Sequence, residues 1–186
     1  MARLTLFALI FAISSCGYRF GHVDRRLPGG FHRLAIPMFT NSSMELNVEN
    51  QFTNALRLEF ERSKIAEIVQ HNDAQAILVG KIDSLEVEID PNSRVEELAY
   101  APDNTVLSTQ YRLRVTVSLQ LKQKDNGAVF WTGKVTNEKV YSAAQVTLAG
   151  INSANPLYNN SAKLENIAAL ARDMMAEGHD RITENF

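Results

Sequence analysis

The chain has 186 residues, 45% of them hydrophobic and 22% charged, with a formal net charge of −2. That length and composition suit one globular domain with an ordinary core. The charge balance excludes the basic footprint of a nucleic-acid binder, and a single cysteine excludes an internal disulfide.

The first element is a leader. Arg3 is followed by the apolar run Leu4 to Ile13 and then by Ser14-Ser15-Cys16. A basic start, a short apolar middle and small residues before a break form a secretory signal peptide. Ten helical residues rise roughly 15 Å, about half of a bilayer core, so the run is too short to span. Ile13-Ser14-Ser15-Cys16 resembles a bacterial lipobox, in which the thiol receives a diacylglycerol and the leader is cut off before it. Residues 1–15 are therefore expected to be removed and Cys16 to be the lipid attachment site. Gly17, not Asp, follows the cysteine, and by the same resemblance this favours the outer membrane. Removing Arg3 leaves 18 Lys and Arg against 21 Asp and Glu, a mature charge of −3. Residues 16–33 read as a lipidated tether, broken by Leu27-Pro28-Gly29-Gly30.

Residues 34–186 read as a single domain. Leu34 to Met38 is a short strand that Pro37 confines to an edge or ends. Glu45 to Lys64 is an amphipathic helix whose inner face is Val48, Phe52, Ala55, Leu56 and Phe60. Ile77 to Ile89 is a strand whose alternation runs through Ile77 and Val79, falters, and resumes at Leu85, which predicts a bulge between Gly80 and Ser84. Tyr111 to Lys122 alternates without a break. Asp125-Asn126-Gly127 then reads as a three-residue hairpin loop with Gly in the left-handed position, pairing Lys124 with Ala128. This register sets Leu121 opposite Trp131, Val117 opposite Val135 and Arg114 opposite Glu138. A two-residue turn would set Lys134 opposite Leu119, against the core. Phe130 to Tyr141 is the partner strand. Ser161 caps a last helix lined by Leu164, Ile167, Ala168, Ala171, Met175 and Ile182. The expected fold is α+β, a two-layer sandwich of a four-stranded mixed sheet with two helices on one face, in the order β-α-β-β-β-α.

Two connections, 91–108 and 142–160, are long for a compact domain. A helical crossover makes the first two strands parallel, so both loops leave one end of the sheet, beside residues 40–44, while the tether enters at the other. Both carry large apolar groups, among them Leu98, Tyr100, Leu107, Leu148, Ile151, Leu157 and Tyr158. They either tuck onto their own domain or meet a partner. Arg112, Arg114 and Lys134 share the polar face of the hairpin with Lys122, and Arg94 lies in the first loop. These groups either meet the phosphates of an anionic lipid or pair across strands. No phosphate loop, nucleophile elbow, zinc motif or cofactor motif is present, and the four histidines are scattered.

Cys16-Gly17-Tyr18-Arg19-Phe20, Leu27-Pro28, Leu34 to Asn41 and Phe52-Thr53-Asn54-Ala55-Leu56 resemble the LptE family of lipopolysaccharide-assembly lipoproteins. The resemblance implies a non-catalytic protein, without a cofactor, that plugs the lumen of the outer-membrane β-barrel LptD and helps to assemble it. Such a protein aids insertion of lipopolysaccharide into the outer leaflet. Basic residues on the sheet and loops of some members are implicated in binding lipopolysaccharide; on charge and geometry alone the candidates here are Arg94, Arg112, Arg114 and Lys134, and the apolar residues of the two loops are the candidate barrel contacts. The alternatives are a stand-alone envelope lipoprotein with another ligand or partner, and a periplasmic hydrolase, which a compact cluster of acid, His and Ser would revive.

Overall fold

The computed structural model describes residues 25–90, 106–148, 151–154 and 156–184. The elements, in chain order, are β1 (Arg33–Ala35), β2 (Thr40–Asn41), α1 (Val48–Ser63), β3 (Glu67–Ile68), a 3-10 turn (His71–Asp73), β4 (Ala76–Ile89), β5 (Val106–Gln123), β6 (Val129–Leu148), β7 (Ile151–Ala154) and α2 (Pro156–Thr183). The α+β class and the two helices agree with the expectation. The four-stranded sheet does not: among the described residues the sheet has seven strands, ordered β3-β1-β4-β5-β6-β7, with β2 also paired to β4. β2 and β3 are two residues each, too short to carry a periodicity.

β1 lies parallel to β4, as the crossover through α1 requires, and β4, β5, β6 and β7 are successively antiparallel. The bulge falls at Asp83, between the pairs Ile82↔Val117 and Ser84↔Thr116. One extra residue inverts the parity of the strand. Ala76, Leu78, Gly80 and Ile82 are the buried residues before it, so Ile77 and Val79 lie on the opposite face from the one the alternation suggested. Gly80 lies in this stretch because the ring of Phe39 covers it: a Cβ there would stand 2.3 Å from the ring. Phe39 is held by its own N–H, which donates to the buried Thr53 hydroxyl at 3.0 Å.

The hairpin register is as expected, with Leu121↔Trp131, Val117↔Val135 and Arg114↔Glu138. Near the turn a one-residue shift sets Lys122 opposite Val129, and the Gln123 N–H donates to the Ala128 carbonyl at 2.8 Å. The loop is therefore one residue longer than the expected Lys124–Ala128 closure. Gly127 adopts φ 68°, the left-handed conformation that selects glycine.

α1 buries Val48, Phe52, Ala55, Leu56 and Phe60, the face read from its spacing. α2 begins at Pro156, which suits the first turn of a helix, so Ser161 is interior and not a cap. Its buried apolar side chains, among those described, are Ile167, Leu170, Ala171, Met174, Met175 and Ile182, whereas Leu164 and Ala168 are half-buried. Both helices join Leu113, Val115, Val117, Leu119, Leu121 and Val135 of the sheet in one core.

At the lower end, within the segment read as a tether, Leu27 is buried. Arg25 reaches Asp180 at 3.2 Å and Glu184 at 3.6 Å, and Phe31 meets Phe130 edge-on with centroids 5.0 Å apart.

Candidate partner-binding surface

The upper end gathers the tops of β4 and β5, the β6–β7 pair, the start of α2 and residues 42–46. Asn41 organises this last turn. Its amide donates to the Glu45 carbonyl at 2.6 Å, and its side-chain oxygen accepts the Ser43 N–H at 2.9 Å and the Ser43 hydroxyl at 2.7 Å. The turn projects Met44, 99% exposed, and Leu46, 79% exposed. Between them the Glu45 carboxylate accepts from Lys163 of α2 at 2.9 Å, clamping the turn to the helix.

Beside this clamp lies a cleft of about 470 Å³ lined by Met44, Leu85, Val87, Tyr111, Tyr141 and Asn159, among others. The Tyr111 and Tyr141 rings stack with centroids 5.7 Å apart. Burial raises the pKa of the Tyr141 hydroxyl, and Tyr111 and Glu45 raise it further, so it remains a neutral phenol. An apolar floor with a few fixed polar groups suits the seating of a partner's side chain. The sequence reading missed Met44 and Leu46, because an isolated apolar residue in a polar turn carries no periodic signal.

The open face of the sheet is charge-balanced. Arg114 pairs with Glu138 at 3.1 Å, and Arg112 lies 3.6 Å from Glu138 and 3.4 Å from the buried Asp90. Glu86 stands opposite Arg114 and Glu88 opposite Arg112 in the ladder. Lys134 is exposed, and no ion pair is found for its side chain among the described residues. Three of the candidate lipopolysaccharide contacts therefore share one face, as expected, with two of them engaged in cross-strand ion pairs.

The second long connection is not a loop. Leu148 closes β6 and pairs with Ile151 of β7, while Leu157 and Tyr158 lie in the first turn of α2. Leu107 belongs to β5. The run Ser142-Ala143-Ala144-Gln145 is too small and polar to read as a strand alone, and its ladder with β5 specifies it instead. Cys16, Arg94, Leu98 and Tyr100 lie outside the described residues.

One cluster does combine Ser, His and Asp. His179, 3% exposed, has Nε2 2.8 Å from the Ser63 hydroxyl and Nδ1 3.3 Å from Asp180. Its pKa is lowered by burial, partly offset by Asp180 and Glu59. Ser63 is the last residue of α1. The carbonyl end of a helix faces it, the wrong sign for stabilising an oxyanion. The geometry joins two helices and does not build a hydrolase.

The fold and this end define a class: a two-layer α+β protein with a charge-balanced open sheet and an apolar tip. A model of the LptE family, described as lipopolysaccharide-assembly, matches residues 31–185. The chain belongs to the LptE family, whose members are lipopolysaccharide-assembly lipoproteins of the bacterial envelope and not enzymes. No curated protein matches the sequence. Among solved structures, a neuraminyllactose-binding hemagglutinin homolog from Helicobacter pylori superposes with a TM-score of 0.52 at 9% identity, over 86% of this chain and 89% of that one. The PelC dodecamer from Paraburkholderia phytofirmans gives 0.49 at 11% identity, over 83% and 89%. A minor lipoprotein from Acinetobacter baumannii gives 0.43 at 10% identity, over 80% and 93%. At such identities the first likeness concerns the fold alone.

Proposed function

We propose that this chain is an outer-membrane lipoprotein, anchored at Cys16 once residues 1–15 are removed, that enters the lumen of an LptD-type β-barrel. There it helps the barrel to assemble and lipopolysaccharide to reach the outer leaflet. The observation that carries this reading is the polarity of the body. The chain enters the described fold at Arg25, beside Asp180. The apolar tip at Met44 is clamped to Lys163 at the other end of the same helix. Seventeen helical residues separate those two positions by roughly 25 Å.

A lipid at the lower end holds that end at the periplasmic leaflet, because each buried methylene contributes about 0.8 kcal/mol. The tip and its cleft then face away from the anchor, toward the barrel. A polar open sheet suits a wet lumen. Arg94, Arg112, Arg114 and Lys134 are the groups on which a lipopolysaccharide phosphate would land, with Lys134 the readiest of the described three because it brings no acid partner with it.

Photo-crosslinking in cells tests the reading. A photoreactive residue at Met44 should capture a large outer-membrane β-barrel, and one at Asp125, in the lower turn, should not. Capture from Asp125 and not from Met44 would reverse the orientation, and capture of no barrel from either would favour a stand-alone lipoprotein. Cys16→Ala should release the chain from the membrane fraction.

A further inference from the structure

The lower end carries a second cleft, of about 570 Å³, a volume within the range of small-molecule sites. Three walls form it: the Gly29-Gly30 turn before β1, the 3-10 turn, and the start of the β5–β6 turn. Gln75 ties them together. Its side-chain carbonyl accepts the N–H groups of His32 and Arg33 at 3.0 and 3.2 Å. Its backbone N–H donates to the Arg33 carbonyl at 3.0 Å, and its backbone carbonyl accepts the Lys124 N–H at 3.0 Å. The Lys124 ammonium in turn donates to the Asn72 carbonyl. The walls are therefore set before any ligand arrives.

The cleft is polar and carries both signs of charge. Arg33, Lys124, Asp73 and Asp125 all line it. Among the described residues none of the four forms an ion pair, so two cations and two anions share one cleft without cancelling. A lone anion would meet both carboxylates, and a lone cation both basic groups. A ligand with a phosphate and an ammonium on one short linker satisfies both pairs. Beside the cleft the surface turns apolar. Phe31, which lines it, meets Phe130, 43% exposed, and Val129 before it is 54% exposed. Apolar side chains next to a polar site suit the boundary between lipid headgroups and acyl chains.

We propose that this cleft takes the phosphoethanolamine headgroup of a phospholipid in the periplasmic leaflet. Arg33 and Lys124 hold the phosphate, Asp73 and Asp125 hold the ammonium, and Val129 and Phe130 dip into the leaflet beside it. The inference rests on the anchored orientation proposed above. From Cys16 to Arg25 the chain is nine residues long, and it spans at most roughly 32 Å when extended. The anchor thus keeps the lower end near the leaflet without fixing how it faces, and the headgroup supplies the second contact. Because the tether holds lipid close, a weak site suffices.

Titration of the full chain, extracted in mild detergent, with glycerophosphoethanolamine tests the site through amide chemical shifts. The shifts should map to residues 29–33, 72–75 and 123–125. Inorganic phosphate or ethanolamine alone, at the same concentration, should give shifts several-fold smaller. Arg33→Glu with Lys124→Glu should remove the response. Asp73→Asn with Asp125→Asn should erase the preference for glycerophosphoethanolamine over inorganic phosphate. In vesicles of phosphatidylethanolamine and phosphatidylglycerol brominated on the upper acyl chain, the single tryptophan, Trp131, should be quenched. Val129→Asp should relieve most of that quenching. Absent shifts, shifts elsewhere, equal shifts with inorganic phosphate, or an unquenched Trp131 would each overturn the proposal. The substituted residues are exposed or half-buried, and unchanged circular dichroism would show that the variants fold. Failure here with barrel capture from Met44 leaves the barrel reading intact, whereas a headgroup response without barrel capture removes that reading alone.

Discussion

The Nε2 of His179 lies 2.8 Å from the hydroxyl of Ser63, tying the C-terminal ends of α1 and α2 together. The imidazole also meets the ring of Phe60 edge-on, with centroids 4.8 Å apart. Burial opposes a charge on the ring, and this outweighs Asp180 and Glu59, which favour the proton.

A pH dependence follows. Burial lowers the pKa of folded His179 below its ordinary value near 6.5, so the unfolded chain binds this proton more readily. Stability is then full above about pH 6.5 and falls as pH drops through that value toward the lowered folded one. Urea denaturation at pH 7.5 and 5.5 should show lower stability at 5.5. His179→Gln should flatten the difference, and an undiminished slope in that variant would assign the effect elsewhere.

Gly80 is predicted to reject any side chain. A Cβ would stand 2.3 Å from the buried Phe39 ring, and overpacking of that kind costs roughly 1–3 kcal/mol. Gly80→Ala should lower the denaturation midpoint. Phe39→Leu in the same chain should cost less than the sum of the two single changes, which a double-mutant cycle measures.

Arg112 and Arg114 should separate on removal. Arg114 and Glu138 are both about half exposed, and such a pair is worth roughly 0–1 kcal/mol. Arg112 faces Asp90, which is only 4% exposed. Arg112→Ala weakens the pairing of a buried acceptor and should cost about 1–3 kcal/mol. Equal denaturation midpoints for R112A and R114A would contradict this.

Met44 and Leu46 should matter to binding and not to folding. Both are highly exposed, so Met44→Asp with Leu46→Asp should leave stability within roughly 0.5 kcal/mol. Under the proposed function the same change should reduce copurification of the barrel, read on a stained gel against the unsubstituted chain.

Local pattern revealed much of this fold. The inner face of α1 and the β5–β6 register were legible because each rests on a repeat that one element carries by itself. The bulge in β4 was legible as a broken alternation, but not which face Ile77 took, because that depends on where Asp83 falls in the ladder with β5. The upper candidate site was half legible. The gathering of chain at one end followed from strand direction, whereas the Glu45–Lys163 clamp joins residues 118 positions apart.

The amino-acid order by itself determined the two amphipathic helices and the pairing of the long hairpin, because apolar spacing within one segment selects which face is buried. Only the tertiary structure decided that residues 142–148 continue a strand, that β2 and β3 exist, and that Arg112 faces the buried Asp90. Those outcomes depend on backbone and charge partners supplied by distant parts of the chain, and no short window of sequence contains both members of such a pair.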